Sequence, residues 1–296
     1  FIEYFVYLVL KLLSLLPQRL QFFLGKVVVI TGAGSGIGKA LAYALVKQGS
    51  HVVLSDVDEA AINALQADLA KLNNPQTGSI KIFAADVSDY ENMQAFSSFV
   101  GAEFGRLDFL INNAGVGLGA LFQDCDLKDM RDLFDTNFWG VVYGCQLFLP
   151  LLQRAERGHI VNISSVLGLL SGPRVSAYSS SKFAVRGFSD SLRHDLRLSG
   201  NQINVSCVFP SGIKTNILAS SKIIVPSGSK TSSDAERERL EPWFWTEPTQ
   251  AARDILNNVM KGKTRIHVGK GARFLDFISR CFPVSYTKFL PKSLLE

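Results

Sequence analysis

Short runs of β-branched and apolar residues alternate with longer segments of helical spacing from Lys26 onward, and this alternation restricts the fold more than any other feature of the chain. The short runs are continuously apolar, which is typical of strands buried on both faces of a parallel sheet. Their alternation with helices indicates right-handed βαβ units. The predicted strands cover residues 26–31, 51–56, 80–86, 107–113, 159–164, 203–209 and 265–268, and the predicted helices cover 37–48, 58–72, 89–104, 127–154 and 176–198. The sequence therefore predicts an α/β fold, a doubly wound parallel sheet of about seven strands.

The composition excludes several classes of protein. With 296 residues, 47% of them apolar and 19% charged, the chain is not a collagen, a coiled coil, a low-complexity segment or a small disulfide scaffold. Its four cysteines are widely spaced without a CxxC pair, which favours reduced, mostly buried thiols in a cytosolic protein. The four histidines do not stand near other ligands at zinc-like spacing, so the sequence predicts no metal site.

One domain is predicted over residues 25–270, and residues 1–24 differ from it in being almost entirely apolar. Lys11 interrupts this segment near its middle, where a lysine costs about 2.5–3.5 kcal/mol in a bilayer. We therefore expect an amphipathic helix that lies in a membrane interface, and a true span or a helix packed on protein are the alternatives. The polar residues that recur every three or four positions are Glu3, Tyr7, Lys11, Ser14, Gln18 and Gln21.

The C-terminal tail, predicted over 271–296, is both basic and aromatic. Residues 261–296 contain eight Lys and Arg and two acidic residues, so their net charge of +6 exceeds the net charge of +5 of the whole chain. Phe and Leu interleaved with Arg and Lys favour contact with an anionic lipid surface, and a closing helix docked on the core is the alternative. The two ends predict a cytoplasmic protein associated with a membrane surface. No nucleic-acid-binding module accompanies the basic residues, so nucleic acid is not a predicted partner.

A glycine-rich turn joins the first predicted strand to the first predicted helix and reads TGAGSGIG over residues 31–38. The unpaired N–H groups and the positive dipole end of a helix N-terminus suit a pyrophosphate, and glycines allow the backbone to approach it closely. The turn departs from GxGxxG by an isoleucine at the third glycine. Its place between a strand and a helix predicts a dinucleotide site. The predicted cofactor-binding residues are Gly32, Ser35, Gly36, Ile37 and Gly38.

Asp56 ends the second predicted strand, 18 residues after Gly38. A carboxylate at this place accepts hydrogen bonds from both ribose hydroxyls of NAD and repels the 2′-phosphate of NADP. No Lys or Arg adjoins it in the sequence, so we expect NAD to be preferred over NADP. A helix cap for the following segment is the alternative role of Asp56.

Further motifs resemble the short-chain dehydrogenase/reductase family, in its single-domain, Rossmann-like branch. They are TGAGSGIG at 31–38, NNAG at 112–115, Asn137, NISS at 162–165 and the pair Tyr178 and Lys182. The motifs occur together, in order and at the spacing of the family, and the resemblance covers residues 25–270. It implies an oxidoreductase that binds a nicotinamide nucleotide and forms dimers or tetramers through the helices after the fourth and fifth strands.

The resemblance also implies a catalytic tetrad. Tyr178 would be the acid/base, and Lys182, one helical turn away, would bind the nicotinamide ribose and, together with the nicotinamide cation, lower the pKa of the phenol. Ser165 would hold the substrate oxygen, with Ser164 as the second choice because adjacent strand residues point to opposite faces. Asn137 would hold a water that links Lys182 to solvent. The cofactor would also contact Asp86, Val87, Asn113, Ala114, Gly115, Ile213 and Thr215.

Apolar positions predict a lipophilic substrate. They follow NNAG and the catalytic serine or belong to the irregular segment 211–248, which we expect to act as a lid or a mobile loop. We therefore expect an NAD-dependent dehydrogenase or reductase of steroid, retinoid or long-chain alcohols and carbonyls. An NADPH-dependent carbonyl reductase and a non-catalytic nucleotide-binding protein at a membrane are the alternatives. The expected lining residues are Val116, Leu118, Leu167, Leu169, Leu170, Val175 and Trp243 to Trp245.

Overall fold

The computed structural model describes residues 22–72, 78–225 and 232–291. Seven strands form one parallel sheet in the order β3-β2-β1-β4-β5-β6-β7. The predicted doubly wound α/β sheet is confirmed. The strands are β1 (Val27–Thr31), β2 (His51–Ser55), β3 (Ile80–Ile82), β4 (Phe109–Asn112), β5 (His159–Ile163), β6 (Asn204–Pro210) and β7 (Arg265–Val268).

Helices cover both faces of the sheet. They are α1 (Gly36–Lys47), α2 (Glu59–Ala70), α3 (Tyr90–Phe104), α4 (Leu127–Phe134), α5 (Gly140–Leu152), α6 (Ser176–Leu198), α7 (Ile217–Ser220), α8 (Ser233–Leu240), α9 (Pro248–Met260) and α10 (Ala272–Cys281).

Alternate residues of the central strands enter two separate apolar layers. In β1, Val28 and Ile30 pack with α1, α2 and α9, whereas Val27 and Val29 pack with the apolar residues of α3 and α5. Both layers are needed because each strand is apolar on both faces.

The strand order reverses between β1 and β4, and their carboxyl ends therefore diverge into a crevice. Ligands of open α/β sheets bind at such a switch point. The glycine-rich turn follows β1 and the NNAG motif overlaps the end of β4, so the fold brings the two motifs to the same crevice.

Two predicted elements differ in detail from the structure. The predicted helix over 127–154 is interrupted by a π-helical turn at Asp135–Trp139, which separates α4 from α5. The segment predicted as irregular, 211–248, contains α7, α8 and a two-residue strand at Lys222–Ile223 that pairs in parallel with Leu118–Gly119. Neither feature follows from hydrophobic periodicity, because both depend on tertiary contacts.

The two ends of the chain are only partly described. Residues 1–21 of the predicted N-terminal helix lie outside the described residues, and residues 22–25 form a turn in which Phe23 is buried against Phe109. The last segment forms α10 and a 3₁₀ turn at Tyr286–Phe289. Within 22–72, 78–225 and 232–291, no helix is both long and apolar enough to cross a bilayer.

The cysteines are less uniformly buried than predicted. Cys145 and Cys207 are buried in the core, whereas Cys125 is half-buried and Cys281 is exposed on α10.

Candidate active site

The glycine-rich turn is shaped by close backbone packing. Gly32 and Gly36 have φ values of +62° and +52°, which favour glycine. A Cβ at Gly32 would stand 2.7 Å from the Cα of Ala114, and a Cβ at Gly38 would collide with the carbonyl oxygen of Gly32. The glycines therefore allow the turn to fold tightly in front of α1, where a pyrophosphate has access to backbone N–H groups. Ser35 precedes α1 in an extended conformation, and its side chain makes no capping hydrogen bond there.

The segment after β4 supports this turn. The side-chain amide of Asn113 donates to the carbonyl oxygens of Thr31 and Gly32, at 3.0 and 2.9 Å. The Thr31 hydroxyl accepts hydrogen bonds from the backbone N–H groups of Asn113 and Ala114, at 3.0 and 3.1 Å. The side chain of Asn113 and the backbone N–H groups of Asn113 and Ala114 thus hold the segment after β4 against the glycine-rich turn.

Asp56 stands at the end of β2, beside the glycine-rich turn. One carboxylate oxygen accepts from the backbone N–H of Gly34 at 2.9 Å, and the other accepts from that of Asp58 at 3.1 Å. Asp58, and not Asp56, caps α2 through a hydrogen bond from Ala61. Each oxygen of Asp56 keeps a second acceptor position. Among the ion pairs of the described residues, none involves Asp56.

The other predicted cofactor residues surround the same crevice. Asp86 accepts hydrogen bonds from the backbone and hydroxyl of Ser88, and Val87 is buried against Gly140. Thr215 approaches Gly36 so closely that a Cβ there would lie 2.9 Å from its methyl group. The segment after β6 therefore lies over the glycine-rich turn. Ile37 and Ile213 pack into the core layer beneath.

These residues fit a dinucleotide. The tight turn leaves Ser35 at the N-terminus of α1 exposed, and a carboxylate with remaining acceptor capacity stands beside the turn. The described residues contain no group of three or more His, Cys, Asp or Glu arranged to hold a metal ion.

Tyr178 and Lys182 lie one turn apart on α6, at the inner end of the crevice. The ammonium of Lys182 is buried, 5.7 Å from the centre of the Tyr178 ring, and donates to the Ile163 carbonyl oxygen at 3.3 Å. Ser165 adjoins the phenol of Tyr178, whose pKa it lowers, and accepts from the backbone N–H of Leu167 at 3.1 Å. The structure thus brings the three predicted residues together.

The adjacent serine has a different partner. The Ser164 hydroxyl donates to the carbonyl oxygen of Lys182 at 2.8 Å and fixes α6 against the end of β5. Ser164 and Ser165 point in opposite directions because adjacent residues of extended backbone alternate. Of the two serines, Ser165 is therefore the one directed at the phenol.

Asn137 occupies the π-helical turn and is fully buried. Its side-chain amide donates to the Val116 carbonyl oxygen at 3.0 Å and to the Ser181 hydroxyl at 3.2 Å, and its oxygen accepts from the Val116 N–H at 2.8 Å. A Cβ at Gly115 would lie 3.0 Å from this oxygen and 3.3 Å from the Lys182 ammonium. Asn137 therefore ties the segment after β4 to α6 beside Lys182.

Burial sets the proton states of the pair. Burial raises the pKa of Tyr178, and the Ser165 hydrogen bond opposes this rise. Burial also lowers the pKa of Lys182 to about 8. Both directions hold for the chain without a nucleotide, so the expected lowering of the Tyr178 pKa by Lys182 together with the nicotinamide cation stays a prediction.

An apolar cluster packs against Tyr178. Of the predicted lining residues, Leu118 belongs to it, whereas Leu169 packs into the core beneath the sheet and is not available to line a cleft. Trp243 and Trp245 lie 5.8 Å apart with their rings tilted by 56°, and they line a depression of about 340 Å³ together with Arg239 and Pro242. The cluster contains Leu118, Cys125, Met130, Leu133, Phe134, Ala177 and Ile224.

Several residues of this cluster and of the segment 211–248 could not be identified from the sequence. Ile224 reaches the cluster only because Lys222–Ile223 pairs with Leu118–Gly119. Arg174, whose φ is +64°, forms an ion pair with Glu236 of α8, with 2.7 Å between Nη1 and Oε1. Sequence spacing carries no signal for contacts across so many residues.

Comparison with known proteins agrees with this geometry. The family model described as short chain dehydrogenase matches residues 26–223. The chain belongs to the short-chain dehydrogenase/reductase family. It is therefore an oxidoreductase of a family that binds NAD(P).

Several known proteins align with most of this chain. A protein of Mycobacterium tuberculosis named as an oxidoreductase, SadH, is 37% identical over 268 residues, 90% of this chain and 95% of that protein. An Arabidopsis thaliana protein named 11-beta-hydroxysteroid dehydrogenase-like 4A is 30% identical over 266 residues, 88% of this chain and 81% of that protein. A crystal structure of a short chain dehydrogenase/reductase from Burkholderia phymatum in complex with NAD has a TM-score of 0.80 and 31% identity, and it covers 87% of this chain and 94% of that chain.

The two adjacent serines provide a matched pair of variants. Ser165→Ala removes a donor at the substrate oxygen, and we expect kcat to fall by about 10²–10³-fold with the cofactor Kd unchanged. Ser164→Ala removes a buried hydrogen bond to α6, and we expect a loss of about 1–2 kcal/mol in the free energy of unfolding with kcat nearly retained. Steady-state kinetics and urea unfolding measure the two effects. Equal losses of kcat in both variants would contradict the assignment.

Proposed function

We propose that the protein transfers a hydride between NAD(H) and a lipophilic alcohol or carbonyl compound, with Tyr178 as the acid/base. The observation that carries this proposal is the meeting of Tyr178, Ser165 and Lys182 between the nucleotide crevice and an apolar cluster. The packed cluster makes the surroundings of Tyr178 apolar, which favours a lipophilic substrate over a polar one.

The protein residues divide the work on the substrate oxygen. When bound, the nicotinamide nucleotide supplies or accepts the hydride. In the reductive direction, the neutral phenol of Tyr178 donates its proton to the carbonyl oxygen, and the Ser165 hydroxyl donates a hydrogen bond to that oxygen as negative charge develops. Lys182 holds the nicotinamide ribose and stabilises the resulting phenolate with its positive charge. In the oxidative direction the phenolate removes the alcohol proton.

Asp56 supports the choice of NAD over NADP. Its carboxylate stands beside the glycine-rich turn with acceptor positions that suit two ribose hydroxyls, and a 2′-phosphate there would meet its negative charge. The structurally similar Burkholderia phymatum enzyme was crystallised with NAD. Use of NADPH is the alternative, and a comparison of initial rates with the two cofactors distinguishes them.

A lipophilic substrate also suggests where the protein works. Steroid, retinoid and long-chain compounds dissolve in membranes, and we propose a cytoplasmic protein at a membrane surface. The name of the Arabidopsis thaliana relative agrees with a steroid-like substrate class. We also expect homo-oligomers, because Trp139 and Phe183 leave aromatic surface exposed on the helical layer of α5 and α6. A non-catalytic nucleotide-binding role is disfavoured by the buried and costly Lys182.

Replacement of the acid/base tests the proposed reaction. With NAD⁺ and a panel of steroid, retinoid and long-chain alcohols, we expect the wild type to form NADH, measured by absorbance, and Tyr178→Phe to lose at least about 10³-fold in kcat. The Kd of NADH, measured by fluorescence, should stay within about threefold, because the phenol does not carry the nucleotide-binding turn. Turnover of small polar alcohols alone would contradict the lipophilic substrate. Retained turnover in the variant would contradict the role of Tyr178.

Neutralisation of Asp56 tests the cofactor assignment. Asp56→Asn removes the charge that repels a 2′-phosphate and weakens the bonds to the ribose, so the ratio of kcat/KM for NAD⁺ to that for NADP⁺ should fall by at least about tenfold. Asp58→Asn is the matched control, since Asn caps a helix as well as Asp does and the ratio should not change. A wild type that already prefers NADP⁺ would contradict the assignment.

A further inference from the structure

The C-terminal helix α10 presents an aromatic face that the described residues do not cover. Phe274 and Phe277 are 58% and 62% exposed, and Cys281 is exposed on the same side. Ala272 and Asp276 are buried on the opposite side. The exposed face continues beyond the helix through Phe282 to Phe289, which completes the set called here the aromatic face: Phe274, Phe277, Phe282, Val284 and Phe289.

The orientation of this helix is fixed by its buried side. Asp276 accepts two hydrogen bonds from Arg280, both at 2.9 Å, and pairs with His267 of β7 at 2.9 Å. The Phe side chains therefore do not turn inward without breaking the contact between His267 and the buried carboxylate of Asp276. An exposed apolar patch of this kind on a fixed helix marks an interaction surface.

The charges around the aromatic face are nearly all of one sign. Exposed Lys270, Arg273, Arg280 and Lys288 lie between or beside the aromatic residues, and Asp276 is the single acidic residue among residues 269–291. Phe side chains flanked by Arg and Lys match the boundary between acyl chains and anionic headgroups. The same face on a second copy of the chain would bring like charges together across a symmetric interface, which is unfavourable.

The aromatic face adjoins the loop that follows the catalytic serine. The Tyr286 hydroxyl lies 3.1 Å from the N–H, 3.0 Å from the hydroxyl and 3.0 Å from the carbonyl oxygen of Ser171. Ser171 directly follows the loop that begins with Ser165 and the 3₁₀ turn Val166–Gly168, and α10 packs on that turn. A surface that touches the aromatic face therefore also touches the loop beside the reacting groups.

From these observations we propose that the aromatic face docks on an anionic lipid bilayer and places the loop around Ser171 at the lipid surface, where a membrane-dissolved substrate can reach Tyr178. The delivery of substrate rests on the proposed function, whereas the docking does not. Electrostatic attraction by the four basic residues and burial of the Phe side chains both contribute, so docking requires anionic lipid and weakens at high salt.

A fluorescent label on Cys281 reports on docking independently of residues 1–24. The full chain carries Cys125→Ser and an NBD group on Cys281, and it is mixed with vesicles of phosphatidylcholine containing about 30% phosphatidylserine. We expect a blue-shifted emission and iodide quenching reduced at least about threefold, with neither change on pure phosphatidylcholine. The control label, at Leu198→Cys in a Cys125→Ser, Cys281→Ser background, lies at the exposed end of α6 and should not respond.

Two outcomes would overturn the docking proposal. One is an unchanged NBD signal although the chain sediments with the vesicles, which would assign the lipid contact to the other end of the chain. The other is a blue-shifted, protected label without vesicles, which would mean that protein, from a second copy or from the same chain, covers the face. In Phe274→Ser/Phe277→Ser the response should disappear, and in Leu198→Ser it should remain.

A kinetic comparison tests the delivery of substrate. For an alcohol dissolved in the anionic vesicles, Phe274→Ser/Phe277→Ser should raise KM at least about tenfold with kcat retained, because the face binds the bilayer and not the transition state. For a water-soluble alcohol the variant should match the wild type. An equal effect on both substrates would overturn the delivery proposal. Absence of turnover in all proteins, with the NBD response intact, would contradict the proposed function and leave docking supported.

Discussion

The burial of Tyr178 and Lys182 in the wall between α6 and β5 is the constraint on which the chemistry depends. Lys182 is almost without solvent contact, and its ammonium donates a hydrogen bond of 3.3 Å to the Ile163 carbonyl oxygen. An ammonium in this position is costly, and its pKa falls to about 8. The same burial raises the pKa of the phenol. In the protein alone, a neutral phenol therefore stands beside an ammonium that holds its proton weakly. The positive charge of a bound nicotinamide would favour the phenolate.

The surrounding structure maintains this arrangement from several directions. Ser164 fixes the backbone of α6 to the end of β5, and Asn137 fixes the segment after β4 to Ser181 on α6. Asn113 holds the same segment to the glycine-rich turn. The helix that carries Tyr178 and the glycine-rich turn are therefore linked through hydrogen bonds to the segment after β4.

The sequence predicts the sheet well, because strands such as Val27–Thr31 are apolar on both faces and must therefore lie in a sheet that is covered on both sides. Helical spacing predicts that Tyr178 and Lys182 share one face of a helix, and the resemblance to the family adds Ser165 to them. The sequence does not predict the π-helical turn that holds Asn137, the packing of Leu169 into the core or the approach of Ile224 to Leu118. Each of these depends on contacts between distant segments. The raised pKa of Tyr178 escapes prediction because burial is a property of the folded chain.

A measurement of the ionisation of Tyr178 tests most directly whether burial controls its phenol. With [¹³Cζ]-tyrosine incorporated, the NMR resonance that is absent in Tyr178→Phe can be followed as a function of pH. We expect that, without nucleotide, this resonance titrates above the ordinary pKa of tyrosine, and that NAD⁺ moves the titration to lower pH. A Tyr178 that already titrates below the ordinary value in the protein alone would contradict this expectation, since burial would then not control the phenol.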